Sequence, residues 1–167
     1  MLNANKGPNA QEKCNCRKKE ECPMPGKCQT TSVIYQASVK TDEKTETYVG
    51  LTVNSFKKRY SGHKSSFKHN KRRHETTLSK YIWELKDKNV DYTLSWTILA
   101  RAQPFTQVTG LCHLCTREKH FIIFKPDLCT LNSWNELLSS CRHKRANLLV
   151  MQNRKQKKKK KARNRGN

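Results

Sequence analysis

Core-forming side chains are confined to the middle of this chain, and that confinement limits what it can fold into. The first thirty and the last twenty residues are polar, charged or cysteine-rich, with few aliphatic or aromatic groups to bury. One compact core of roughly 110 to 120 residues is the expectation. Composition divides the chain into a flexible lead at 1–13 containing Gly7 and Pro8, a cysteine-rich segment at 14–32, a foldable domain at 33–150, and a basic, disordered tail at 151–167.

Within the foldable part, the hydrophobic period changes from two to 3.6 and back. Val33-Ile34-Tyr35-Gln36-Ala37-Ser38-Val39 is β-branched and aromatic, and Thr47-Tyr48-Val49-Gly50-Leu51-Thr52 follows a polar turn, which predicts a hairpin. Phe56, Tyr60, His63 and Phe67 recur at i, i+4, i+7 and i+11, an amphipathic helix with Asn54 or Ser55 as N-cap. Arg59 and His63, four apart, share a face of it. After a basic break from Lys68 to Arg73, Leu78, Tyr81, Ile82 and Leu85 predict a second helix capped by Thr76 or Thr77. Tyr92, Leu94, Trp96 and Ile98 alternate with Thr93, Ser95 and Thr97 in a third strand. Cys112, Cys115, Glu118 or Lys119, and Ile122 then fall on one helical stripe, and Leu131 to Leu138, with Trp134 and Leu137, reads as a short last helix. The fold class expected is α/β of the α+β kind. It is a small three-stranded antiparallel sheet in the order β-β-α-α-β-α, flanked by helices, with a cysteine-rich zinc knot before it.

Lys and Arg number 35 against 13 Asp and Glu, a formal charge of +22. That is far more than solubility requires, so a polyanion is the natural partner. Nine of the cations lie between Arg154 and Arg165, and a large excess persists without them. The tail itself reads as a solvated charge run that doubles as a nuclear-import signal, giving a nuclear localisation. The stretch from Met1 to Cys14 lacks the apolar segment of a secretory signal, and no apolar run approaches the roughly 18 residues of a membrane span.

Eight cysteines therefore point to reduced thiols and metal before disulfides. Cys14, Cys16, Cys22 and Cys28 offer four thiols within fifteen residues for a structural Zn²⁺, with a first gap tighter than usual. Cys112 and Cys115 with Cys141 and His143 form a second, tentative zinc set, for which Cys129 and His113 are possible substitutes. The plain alternatives are loose thiols in the lead and ordinary packed cysteines, or a secreted cationic disulfide protein with its signal trimmed. Neither set reads as catalytic, because four protein ligands leave no open position. Lys64, Lys68, Lys71, Arg72 and Arg73 are candidates for phosphate contact; their bland reading is a solvated loop.

Glu118 is the only acidic residue between Tyr92 and Pro126. On an inner stripe it calls for a partner, either a hydrated divalent cation or a surface cation such as Arg117 or Lys119. Val33-Ile34-Tyr35, Tyr48-Val49-Gly50, Arg59-xxx-His63, Glu118 and Asn132 occur in one order. In that order the chain, from about Val33 to about Leu138, resembles the GIY-YIG nuclease family. It departs from the family's name motifs at Val33 and Val49 and keeps both tyrosines and Gly50. The likeness is greatest to the endonuclease domain of Penelope-like retroelements, in the cysteine-rich flank and in Phe56-Lys57-x-Arg59-Tyr60-xx-His63. It implies a protein that nicks DNA to prime insertion. The 167 residues hold no reverse transcriptase, so a fragment, a relic and a repurposed stand-alone domain all remain open.

The resemblance implies that Tyr35 activates water, with Tyr48 and His63 holding it or assisting proton transfer. Arg59 would lie against the scissile phosphate. Glu118 would hold one Mg²⁺ or Mn²⁺, and Asn132 would position the site. A tyrosine with an ordinary pKa near 10 is a poor base, so a nearby cation must help it. DNA is the expected partner, RNA is not excluded, and neither a membrane nor a small-molecule substrate is expected. The competing reading is a zinc-stabilised nucleic-acid-binding module that does not cleave.

Overall fold

The computed structural model describes residues 14–133 together with Cys141 and His143. The lead at 1–13, the basic tail and most of the expected last helix, including Trp134, Leu137 and Leu138, lie outside the described residues.

The expected hairpin forms as β1 (Val33–Lys40) and β2 (Thr45–Thr52), and the third strand as β3 (Thr93–Arg101). The sheet is antiparallel in the order β2-β1-β3, which makes β1 the buried centre. Val33, Tyr35, Ala37 and Val39 are fully buried on one face of β1, while Ile34 is buried on the other. That is what the period-two alternation demands of a strand covered on both sides. The register of β3 on β1 slips between Ile34 and Tyr35, where Ile34 pairs with Ala100 and Tyr35 with Ile98. Leu99 is thus an extra residue, a bulge next to the Tyr35–Ile98 pair.

Helices α1 (Phe56–Lys68) and α2 (Thr77–Asp87) cover the Tyr35 face. Helix α3 (His113–Phe124) covers the Ile34 and Val49 face. Of the alternative caps, Ser55 accepts from Lys58 N at the start of α1, and Thr76 accepts from Ser79 N at the start of α2. A 3₁₀ turn (Asn70–Arg72) links the two helices. They are joined inside by Ser66 Oγ and Ser79 Oγ at 2.7 Å, with Ser66 Oγ donating to His63 O at 2.9 Å. On α3 the buried positions are Leu114 and Phe121. Glu118 lies between them at the i, i+4, i+7 spacing and is half-buried.

The cysteine-rich segment has no core of its own and is built into the main one. Met24 is buried among the residues of the Tyr35 face. The first two N–H groups of α1 also have partners there: Phe56 N donates to Thr30 O at 2.9 Å and Lys57 N to Cys28 O at 2.7 Å. Helix starts leave such donors unsatisfied, so the segment completes α1.

Edge strand β2 is covered by the chain after a 3₁₀ turn (Pro126–Leu128). Leu131 N donates to Thr47 O at 2.8 Å and Thr47 N to Thr130 Oγ1 at 2.9 Å. Such pairing satisfies a row of backbone groups that an open edge would expose.

Candidate functional site

Tyr35 points from the centre strand into the layer under α1, fully buried. Its phenol oxygen accepts from Arg59 Nε at 2.8 Å and lies 2.8 Å from His63 Nε2. The four-residue spacing of Arg59 and His63 on α1 is what lets both reach one oxygen. The cation beside the phenol is Arg59. Around the three polar groups the walls are aromatic: Trp96 lies 5.2 Å from His63 and 5.9 Å from Tyr35, Phe56 is 5.3 Å from Tyr35, and Tyr48 stands edge-on to His63 at 6.2 Å. Alternation along β3 identified Trp96 as inward-facing; nothing in the spacing identified it as a wall of the polar cluster.

Gly50 is the piece of this site that only glycine can supply. A Cβ there would lie 2.6 Å from the Tyr35 hydroxyl and 3.0 Å from the Tyr48 ring. Gly50 pairs across the sheet with Tyr35, so the bare backbone is the floor on which both phenols rest.

Burial, and then the charge of Arg59, hold His63 at a pKa of about 3. It is a neutral imidazole at physiological pH. Burial works against the Arg59 charge, but the phenols of Tyr35 and Tyr48 beside it hold its pKa above the ordinary value. Arg59 stays a cation, half-buried at the mouth of the cluster. Beside it opens a groove of about 400 Å³ between the end of β2 and α1, with Thr52, Asn54, Lys58, Arg59, Gly62 and His143 in its lining.

No family model, curated protein or solved structure matches the chain.

Of the six expected catalytic residues, the structure gathers Tyr35, Tyr48, Arg59 and His63 into one cluster. Asn132 holds β2 from outside: its Oδ1 accepts from Val49 N and its Nδ2 donates to Val49 O, both at 2.8 Å. Val49 lies between Tyr48 and Gly50, so Asn132 fixes the strand that carries the second phenol and the floor. Glu118 sits on α3, the helix on the other face of the sheet from Tyr35.

Both cysteine sets come together. The ligand atoms of Cys14, Cys16, Cys22 and Cys28 lie within 4.8 Å of one another, and so do those of Cys112, Cys115, Cys141 and His143. Zinc with thiolates at about 2.3 Å has tetrahedral edges of about 3.8 Å. The sulfur separations are 3.3 Å for Cys14–Cys22, 3.4 Å for Cys14–Cys28, 3.9 Å for Cys16–Cys28 and 3.6 Å for Cys115–Cys141. These separations are compatible with the edges of a metal cage and far longer than a disulfide. None of the eight cysteines is in a disulfide. Burial pushes the Cys22, Cys28 and Cys115 thiols up, whereas the Cys16 backbone, followed by the neighbouring thiols, draws Cys14 down to about 7. A bound cation is what would ionise a full set. The substitutes Cys129 and His113 are not in either set: Cys129 caps the end of α3, 3.2 Å from Lys125 O, and His113 is exposed.

The five basic candidates divide. Lys64, Lys68 and Lys71 are exposed. Arg72 pairs with Glu75 through Nη2–Oε2 at 2.8 Å and also bonds Ser65, while Arg73 pairs with Asp87 at 2.6 Å and lies over the Trp83 ring. Those two guanidiniums tie down the connection between α1 and α2. A second basic groove, not singled out by sequence, runs between the cysteine segment and α1, with Arg17, Lys18, Lys57, Tyr60 and Lys64 in its lining. The intervening fold brings these residues together.

Proposed function

We propose that this chain is a metal-dependent DNA endonuclease of GIY-YIG type, hydrolysing phosphodiesters at the mouth of the Tyr35 cluster. The observation that carries the reading is one buried phenol oxygen held at 2.8 Å by a guanidinium and at 2.8 Å by a neutral imidazole. A structural tyrosine needs one partner. A phenol that is to take a proton from water benefits from two, one stabilising negative charge on oxygen and one accepting its hydrogen.

The phenol donates to His63 Nε2 and accepts from Arg59 Nε, so a proton taken up by its oxygen has His63 as its acceptor. In the free protein His63, at about 3, orients Tyr35 and does not store a proton. A phosphate docked on Arg59 offsets the second of the two causes that depress it, so substrate binding itself makes His63 a better acceptor. The outer nitrogens of Arg59 are suited to the phosphate oxygens, and Lys58 adds charge beside them. Asn132 and Gly50 act by position, keeping Tyr48 and Tyr35 in register.

Glu118 offers the hard oxygen donor that Mg²⁺ or Mn²⁺ prefers, and a bound ion would neutralise charge on the phosphate. The two cysteine sets suit structural Zn²⁺ by donor type and spacing. One observation favours the alternative, a zinc-stabilised binder without cleavage: α3, which carries Glu118, covers the other face of the sheet from Tyr35.

Tyr35→Phe tests the reading, since it removes one oxygen and keeps the ring against Phe56 and Trp96. Cleavage should fall at least about a hundredfold, with DNA affinity within a factor of two or so of wild type. Cleavage at the wild-type rate removes Tyr35 from the chemistry.

A further inference from the structure

His143 belongs to two sites at once. Its Nδ1 lies 3.3 Å from Cys112 Sγ, 3.3 Å from Cys115 Sγ and 3.9 Å from Cys141 Sγ, as the fourth corner of the second metal set. The same residue lines the groove beside Arg59. That groove, in its described lining, carries the cations of Lys58 and Arg59 and no carboxylate, so it is built for an anion.

A neutral imidazole has one N–H, and the partner of one ring nitrogen decides whether the other carries it. A metal on Nδ1 fixes the hydrogen on Nε2, at the far edge of the ring from the thiolates, and polarises it. We propose that His143 is a two-sided residue: held through Nδ1 by zinc, it presents Nε2–H to the groove as a fixed donor to the DNA phosphodiester that Arg59 and Lys58 attract. The metal site at the start of α3 then sets the groove's affinity for DNA. This rests on the reading that the groove takes a DNA phosphate, and it adds a binding residue and a role for the metal that the cleavage chemistry does not require. Without metal the hydrogen can sit on either nitrogen and the ring is no longer pinned.

His143→Cys separates the two roles, because a thiolate completes a four-cysteine zinc site but offers the groove no N–H. The measurement is zinc content together with affinity for a short DNA duplex in the absence of added divalent metal, where no cleavage occurs. Zinc content should stay at the wild-type value and affinity should fall about tenfold, as expected for one hydrogen bond to a charged group. His143→Ala should lose one zinc equivalent and at least as much affinity. Wild-type affinity in a zinc-replete His143→Cys protein overturns the inference, whether or not the wild type cleaves. Should that variant lose its zinc, nitrogen NMR of the wild-type ring decides. Nε2 should carry the hydrogen and its resonance should move when duplex is added; an unmoved resonance overturns the inference. A wild type that binds DNA and never nicks it, with the tenfold loss intact, sinks the nuclease reading and leaves this one standing.

Discussion

Gly50 and Tyr35 face each other across two strands, and their pairing shows how little latitude the site has. The two nearest atoms a Gly50→Ala methyl would meet belong to Tyr35, a phenol with no exposed surface, so the ring cannot swing into solvent to make room. The variant should lose about 1–3 kcal/mol of stability, as overpacked sites do. Its cleavage should drop far more than its stability suggests, because the oxygen leaves Arg59 and His63; equilibrium unfolding and nicking rates on one preparation check both. His63 carries a second residue-scale consequence. Its folded pKa is depressed from 6.5 to about 3, so the unfolded chain takes up the proton first. The stability held by neutral His63 is complete above about pH 6.5 and is lost as pH falls toward 3, at roughly 1.4 kcal/mol per pH unit. Urea unfolding near neutrality and at about pH 4.5 should show wild type losing about 2–3 kcal/mol more than His63→Gln. Equal losses in the two proteins would mean that His63 is not held neutral by the fold.

The cysteine segment is an element in the service of another element. Cys28 O and Thr30 O complete the first turn of α1, and that helix carries Arg59 and His63. Replacing Cys22 and Cys28 together by Ser should remove one zinc equivalent and also weaken cleavage and DNA binding through the loosened start of α1, with hydrogen exchange at Phe56 and Lys57 rising. Full activity after that loss would show the segment to be an appendage. Elements were legible in the sequence wherever one face is buried and the other is not. The alternation at Val33 to Val39, the Phe56-Tyr60-His63-Phe67 stripe, and the helix caps, each narrowed to two neighbouring residues, follow from local geometry alone. Helix α3 was only half legible. Cysteines and Ile122 marked a stripe, but the thiols gather in a ligand set, and the buried line is Leu114 and Phe121. Three features depend on contacts between distant segments and left no local signal: the bulge at Leu99, the clasp of Asn132 on Val49, and the tying of Arg73 to Asp87. The clasp requires that β2 be an edge, which the sheet order β2-β1-β3 decides.

At the scale of the molecule, a formal charge of +22 and cation-bearing grooves on two sides of α1 suit the polyanionic partner proposed above. Among the described residues no helix is long and apolar enough to cross a membrane. Charge alone serves a binder as well as an enzyme, so the distinction rests on metal-dependent chemistry. The most direct measurement is nicking of supercoiled plasmid by the full chain with Mg²⁺, with Mn²⁺ or with chelator, comparing wild type and Glu118→Gln. The account predicts nicking by wild type with either metal and none with chelator. It predicts a loss of about a hundredfold or more in Glu118→Gln, which should bind DNA at least as tightly because one repulsive charge has gone. Wild type that leaves the plasmid supercoiled under every condition, or Glu118→Gln that nicks at the wild-type rate, would contradict it.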